Sequence, residues 1–115
     1  MSVAAREPTI EVNITGVANN SRTLMFTASN GVEQIDAASV WNNHATDTKK
    51  VYFAIRSSAT LSGTCYPFAF ASCTAQQSTS ISQALGHKVP AGYTLQAYAE
   101  SADLYATIGT TTGVG

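Results

Sequence analysis

Charge is scarce in this sequence. Only 11% of the 115 residues are charged, and the six basic and seven acidic side chains leave a formal net charge of -1. The chain therefore lacks both the basic stripe that binds nucleic-acid phosphates and the polybasic patch that binds anionic lipid. We expect no nucleic-acid partner and no membrane partner. A net charge near zero also gives little repulsion between copies, which favours self-association.

Long hydrophobic runs and targeting signals are missing as well. No stretch approaches the roughly 20 apolar residues of a membrane-spanning helix. The first residues include Arg6 and Glu7 and lack the apolar core of a secretory signal peptide, so we expect synthesis in a cytoplasm. A chain of 115 residues has room for one hydrophobic core. We divide it into an N-terminal arm, residues 1–8, and a single domain, residues 9–115.

Cysteine is limited to Cys65 and Cys73. Their spacing fits neither a CxxC redox pair nor a four-ligand zinc site. One interpretation is two free thiols, which suits cytoplasmic synthesis. The alternative is a disulfide that clamps the two arms of a hairpin and forms once the protein meets an oxidising environment. We predict free cysteines in the freshly made protein, with oxidation after release as the open alternative.

Motifs that carry chemistry are also absent. The two histidines, His44 and His87, form no His-x-His or His-x₃-His pair, the usual nucleus of a zinc site. Asp36, Asp47 and Asp103 lack the spacing of a calcium loop. No GxSxG elbow, GxxxxGK[ST] loop or GxGxxG turn is present. The sequence predicts no catalytic, cofactor-binding or metal-binding residues, and we expect a protein that is not an enzyme.

What the sequence does contain is a series of short runs in which apolar and polar residues alternate, the pattern of β-strands. The runs cover residues 9–15, 22–28, 32–41, 49–56, 76–85, 93–99 and 104–108. Clusters of Gly, Asn, Ser and Thr separate them, and no helix of convincing length is predicted. We expect an all-β fold, an antiparallel β-sandwich or jelly roll of about seven to eight short strands.

The alternation also predicts which side chains point inward. The inward set comprises Ile10, Val12, Ile14, Leu24, Phe26, Val51, Phe53 and Ile55. In residues 32–41 the alternation breaks, and a bulge near Asp36 or a short helical turn would restore it. Pro67 predicts an edge position for its segment, because proline cannot donate a hydrogen bond to a neighbouring strand.

Two reversals are predicted to form hairpins. Asn30-Gly31 separates two strand-like runs and suits a type I′ turn, and residues 101–103 reverse the chain near its end. The tail, residues 109–115, is predicted to fray or to dock on a neighbouring subunit. These assignments leave the second hairpin as the last ordered unit of the domain.

Four aromatic residues are candidate interface residues, namely Trp41, Tyr52, Tyr98 and Tyr105. Tyr98 and Tyr105 lie on the polar faces of the two strands of the second predicted hairpin, so we expect their rings to meet across it. Aromatic residues on polar faces are typical of protein interfaces. The alternative is a sugar-stacking platform, which would consist of Trp41, Tyr66, Tyr93, Tyr98 and Tyr105.

The segment Val89-Pro90-Ala91-Gly92-Tyr93-Thr94-Leu95-Gln96-Ala97-Tyr98-Ala99 resembles a group of small phage virion proteins. The strand Val51-Tyr52-Phe53-Ala54-Ile55 matches the group more loosely, and the stretch from Cys65 to Cys73 departs from it as an insertion. The resemblance implies a β-sandwich subunit without catalysis that decorates capsids or joins neck and tail parts. We expect a location in the virion and contacts with the major capsid protein or other virion proteins.

The expected function is a capsid decoration or cement subunit that stabilises the head. The alternatives are a neck, tail or fibre-associated structural protein and a glycan-binding host-attachment module. We also predict a homo-oligomer, most simply a trimer, because a 12.0 kDa sandwich with few charges and with tyrosines on polar faces leaves surface that one copy does not cover.

Overall fold

The computed structural model describes residues 5–7 and 9–113, and of Ala5 the backbone alone. In this part of the chain, ten strands form two antiparallel sheets, which confirms the predicted all-β sandwich. The strands are β1 Ala5–Arg6, β2 Ile10–Ile14, β3 Thr23–Thr27, β4 Glu33–Asn42, β5 Lys49–Arg56, β6 Ala69–Cys73, β7 Ser78–Ser80, β8 Lys88–Val89, β9 Thr94–Ala99 and β10 Leu104–Thr112, with a 3-10 helix at Ser82–Ala84. No helix among the described residues has the length and apolar character needed to cross a membrane.

The first sheet is built around β4 and β10. Strands β1 and β2 pair with the far side of β10, and β7 and β8 pair with the far side of β4. The second sheet has the order β3-β9-β5-β6. Alternate residues of both sheets point into the core between them. The largest fully buried apolar side chains are Phe53, Ile14, Ile35, Ile81, Leu95, Leu104, Ile108, Val40, Val51 and Val89.

Both predicted hairpins are wrong. Strand β3 pairs with β9 whereas β4 pairs with β10, so the Asn30-Gly31 turn connects the two sheets. Gly31 has a φ of +112°, but Asn30 is not in the positive-φ region that a type I′ turn requires of both residues. Residues 101–103 likewise lead from β9 in one sheet to β10 in the other. A local reversal signal specifies that the chain turns, and it does not specify the strand it then pairs with.

Two bulges adjust the inward-facing pattern. Ala37 pairs with Gly109 and Ile35 with Thr110, which leaves Asp36 as an extra residue and confirms the predicted bulge. A second irregularity in β3 leaves Met25 between paired neighbours, and Met25 is buried while Leu24 is exposed. The prediction that Leu24 points into the core is therefore wrong, because the bulge shifts the pleat by one residue.

Near its carboxyl end the chain forms a central strand of the first sheet, β10. Strand β10 continues to Thr112 and lies between β1 and β4, so the predicted frayed tail is wrong for residues 109–112. Threonine suits a strand that is paired on both sides. Residues 114–115 of that predicted tail lie outside the described residues. Strand β6, which follows Pro67, is an edge strand of the second sheet, as that proline predicts.

Candidate functional site

The four candidate interface aromatics separate into two pairs. Tyr52 of β5 lies directly opposite Tyr98 of β9 on the outer face of the four-stranded sheet. Trp41 of β4 lies directly opposite Tyr105 of β10 on the outer face of the six-stranded sheet. The outer faces of a sandwich point in opposite directions, so each pair serves a different side of the molecule. The expected contact between Tyr98 and Tyr105 is wrong because their strands belong to different sheets.

The first pair is part of a longer aromatic row, which consists of Tyr98, Tyr52 and Phe70. The ring centroids of Tyr98 and Tyr52 are 4.7 Å apart at an interplanar angle of 13°. Those of Tyr52 and Phe70 are 6.1 Å apart at 23°. Rings stacked across neighbouring strands cover each other's faces and present their edges outward. The row therefore offers little open ring face for a sugar, except at its Phe70 end.

The Phe70 end of the aromatic row is the most exposed. Phe70 lies on the edge strand β6 and is 50% exposed, and Tyr66 in the preceding loop is 89% exposed. Our sequence interpretation did not select Phe70 as a site residue. The alternation along β6 could have identified it, because Ala69 and Cys73 point inward and Phe70 therefore points outward. Tyr66 and Phe70 are the two most exposed aromatic side chains among the described residues, and we name the surface around Phe70 the patch.

The other end of the aromatic row is anchored by Asn19, in the loop between β2 and β3. The Asn19 side-chain amide donates to the Tyr98 hydroxyl at 3.2 Å and to the Cys65 carbonyl at 2.8 Å. The Cys65 backbone N–H donates back to Asn19 Oδ1 at 3.0 Å. Asn19 thus joins three separate segments of the chain and holds the orientation of Tyr98.

A loop crosses the outer face of β9, and we name residues 57–64 the strap. The Ser58 carbonyl accepts hydrogen bonds from Thr94 Oγ1 at 3.1 Å and Gln96 Nε2 at 2.9 Å. Both side chains are buried, although the alternation of β9 assigns them to the outer face. Burial of polar groups is tolerated because their hydrogen bonds are satisfied by the strap.

Arg22 fastens the strap to the sheet. Its guanidinium donates to Gln96 Oε1 at 2.7 Å, and its remaining N–H groups point at carbonyl groups. These acceptors are the carbonyls of Asn19, Thr60, Ser62 and Gly63. Arg22 is only 4% exposed, and the described residues contain no ion pair for it. No sequence signal identified this role, because its partners other than Asn19 are distant in the chain.

The two cysteines are free and buried. Cys73 pairs with Lys49 at the start of β5, whereas the Cys65 backbone contacts Asn19. The segment from Cys65 to Cys73 contains the single strand β6, which pairs with β5, and not two paired arms, so the interpretation as a hairpin clamp is wrong. Burial raises the pKa of the Cys73 thiol, against a smaller lowering by Thr79.

The histidines stabilise local structure. His44 Nδ1 accepts hydrogen bonds from the backbone N–H groups of Thr46 and Asp47, which closes the loop between β4 and β5. The ring of His87 lies 4.6 Å from that of Phe68. Among the described residues, no group of His, Cys, Asp and Glu is arranged to hold a metal ion, and no pocket is found.

The second aromatic pair, Trp41 and Tyr105, lies among polar side chains. Trp41 is 40% exposed, and its indole N–H donates to Asn43 Oδ1 at 3.2 Å. Ser78 of β7 lies on the other side of Trp41, and Asn13 of β2 lies beyond Tyr105. This row therefore places two aromatic rings among amides and a hydroxyl group. The other members of the predicted sugar platform, Tyr66 and Tyr93, have no ring contact with it within the described range.

No protein-family model matches the chain, and no curated protein and no solved structure is significantly similar to it. The candidate site thus consists of two surfaces, the patch at Phe70 with its aromatic row and the row at Trp41. Neither surface is concave, and each lies on strands that are paired on at least one side. Such surfaces suit contact with another large molecule more than enclosure of a small one.

Proposed function

We propose that this protein is a non-enzymatic structural subunit of a phage virion, and that it decorates the capsid and stabilises the head. The observation that carries the proposal is the exposure of two aromatic side chains, Tyr66 and Phe70, which are 89% and 50% exposed. Large aromatic side chains in such positions are typical of residues that anchor a protein interface. The resemblance of residues 89–99 to small phage virion proteins supplies the choice of partner.

The rigidity of the patch supports a binding role. The aromatic row behind Phe70 is stacked across three paired strands, and Asn19 holds its far end. A surface that is ordered before it meets its partner loses less conformational entropy on binding. The low charge of the chain is also suited to close packing against a protein shell rather than to binding phosphates.

Binding to capsids that lack the protein tests the proposal. We expect the wild-type protein to bind at high copy number and to raise the temperature at which such capsids disrupt. The double variant Tyr66→Ala/Phe70→Ala should bind at least about 30-fold more weakly, the effect of losing about 2 kcal/mol at an interface anchor. Leu85→Ala removes another exposed apolar side chain and serves as the matched control with wild-type binding.

Copy number in purified virions distinguishes the related functions. A decoration subunit should be present in roughly hundreds of copies per particle, a number comparable to that of the capsid protein. A neck or tail part should be present in only a few copies. Absence of the protein from virions would contradict both. Quantitative gel staining or mass spectrometry of purified particles provides the measurement.

A glycan-binding module is the second candidate, and the row at Trp41 favours it. Trp41 and Tyr105 lie next to Asn13, Asn43 and Ser78, so flat rings adjoin hydrogen-bonding groups, as sugar recognition requires. Screening on a glycan array should give binding that Trp41→Ala removes and Tyr66→Ala/Phe70→Ala leaves intact. An array without any binding would eliminate this candidate.

A further inference from the structure

Three consecutive threonines at the end of β10 each donate a hydroxyl hydrogen bond to a different carboxylate. Thr110 Oγ1 donates to Glu33 at 2.7 Å, and Thr112 Oγ1 donates to Glu7 at 2.9 Å. Thr111 donates to Asp36. Because side chains alternate along a strand, Glu33 and Glu7 share the inner face and Asp36 lies on the outer face.

The strand β1 is attached at the same place. Ala5 pairs with Thr112 and Arg6 with Thr111, and the Glu7 N–H donates to the Thr110 carbonyl at 2.9 Å. Within the described residues, β1 pairs with β10 and with no other strand. The docking of β1 therefore depends on two residue pairs and the Glu7 hydrogen bond. Glu7 carries a carboxylate close enough to Glu33 to affect its pKa.

Glu33 is a buried acid in this cluster, 7% exposed. Burial raises the pKa of Glu33, the Thr110 hydroxyl lowers it, and the nearby Glu7 charge raises it further, with a net increase above the ordinary value of 4.5. The described residues contain no ion pair for Glu33. The loss of hydration on ionisation is thus not offset by a basic partner.

The charged groups around Glu33 do not compensate it. Strands β10, β3 and β9 contain no charged residue. Arg6 of β1 pairs with Thr111, and Lys88 of β8 pairs with Gln34. Thr111 and Gln34 are each one residue away from the paired residues Thr112 and Glu33, so both basic side chains lie on the opposite face of the sheet. The charged groups on elements packed around Glu33 are Arg6, Glu7, Asp36 and Lys88.

We propose that Glu33 is a proton-controlled latch for the N-terminal strand: β1 docks on β10 while Glu33 is neutral, and ionisation of Glu33 beside Glu7 releases it. The latch does not rest on the proposed function. A carboxyl group whose pKa is raised in the docked state contributes its full stability below the ordinary pKa of 4.5. That contribution is lost as the pH rises through the raised pKa. Release uncovers the β10 edge at Thr110–Thr112, to which another strand can pair.

Amide exchange in the wild-type protein tests the latch. The Glu7 amide reports docking directly because it is bonded to the Thr110 carbonyl. Its protection, normalised to the intrinsic exchange rate at each pH, should fall severalfold between pH 4 and pH 8, because the pKa of Glu33 is raised in the docked state. The ¹³C shift of the Glu33 carboxyl should titrate above the ordinary value over the same pH range. Titrations that do not coincide would overturn the proposal.

Two variants separate Glu33 from its neighbours. Glu33→Gln keeps an oxygen acceptor for Thr110 but cannot ionise, so the Glu7 amide should remain protected at pH 8. Asp36→Asn removes the carboxylate that Thr111 binds on the outer face and should keep the wild-type pH dependence. A wild-type pH dependence in Glu33→Gln would contradict the latch. Should Glu33→Gln fail to fold, the coincidence of the two wild-type titrations decides alone.

Discussion

The side chain of Arg22 forms hydrogen bonds with several separate segments of the fold. Its guanidinium connects the loop before β3, the side chain of Gln96 in β9, and the strap. All of its acceptors are neutral, so the charge is stabilised by oriented carbonyl dipoles rather than by a carboxylate. Fully satisfied buried polar networks of this kind fix a single arrangement, and their partial loss leaves several groups unpaired at once.

Replacement of Arg22 should therefore be costly. We expect Arg22→Met to lower the free energy of unfolding by about 3 kcal/mol, because it leaves the buried Gln96 and four part-buried carbonyls without their donor. Arg56→Met is the matched control, since Arg56 also donates to a carbonyl of the strap, that of Thr64, at 3.0 Å, but makes this single bond at an exposed position. It should cost about 1 kcal/mol or less. Equal losses in denaturant titrations of the two variants would contradict the role assigned to Arg22.

The cysteines give a second prediction for single residues. Because both thiols are free and buried, and Cys65 is held at Asn19 whereas Cys73 ends β6, the two cysteines should stay reduced in the folded chain. Labelling under denaturing conditions should detect two thiols per chain, whether or not a reductant is added first. Under native conditions both should react slowly because they are buried. A chain that loses both thiols to an internal bond would contradict this prediction.

Two glycines distinguish elements that pack tightly from elements that do not. Gly16, after β2, is buried, and a Cβ added there would lie 2.8 Å from the Cα of Arg22 and closer still to the Ser21 carbonyl oxygen. Gly109, in the centre of β10, has 3.5 Å between its added Cβ and the Cβ of Ala37. The loop between β2 and β3 is therefore closed by backbone contact, whereas β10 leaves ordinary room.

Alanine substitutions should reproduce this difference. Gly16→Ala should lower the free energy of unfolding by about 2 to 3 kcal/mol, because backbone atoms cannot move aside as a flexible side chain can. Gly109→Ala should change it by no more than about 0.5 kcal/mol. Thermal or chemical denaturation of both variants provides the measurement. Similar values for the two would mean that the loop at Gly16 is less tightly closed than described.

At the scale of the whole molecule, the two outer faces differ. The four-stranded face is partly covered by the strap and carries the aromatic row, whereas the six-stranded face carries Trp41 and Tyr105 beside short polar side chains. A single copy therefore exposes aromatic surface on two opposite sides. Covering one side by self-association would leave the other free for a partner.

We predict a homo-oligomer, a trimer in the simplest case, that associates through the Trp41 face. Light scattering at micromolar concentration should give three times the 12.0 kDa mass of the chain. Trp41→Glu should shift the population to monomer, because it buries an unpaired charge in the contact. Leu85→Glu, which adds the same charge at another exposed apolar position, should remain a trimer. A wild-type monomer at this concentration would contradict the prediction.

The sequence by itself determined the local features of this fold. A period of two follows from the pleat of a single strand, so the inward sides of residues 9–15 and 49–56 and the bulge at Asp36 were predictable from the order of residues. The edge position after Pro67 followed from a missing backbone donor. Each of these features depends on the chemistry of a few neighbouring residues, and each is confirmed.

Only the tertiary structure decided which segments meet. The turns at Asn30-Gly31 and residues 101–103 connect different sheets because the sandwich, not the turn, selects the partner strand. Gln96 is buried because the strap covers it and Arg22 bonds to it. The sequence does not predict this burial, because contacts between residues far apart in the chain leave no local pattern. The contact of Cys65 with Asn19 joins two distant segments in the same way. The stacking of Tyr52 on Tyr98 follows from the strand register. That register is set by the packing of two complete sheets against each other.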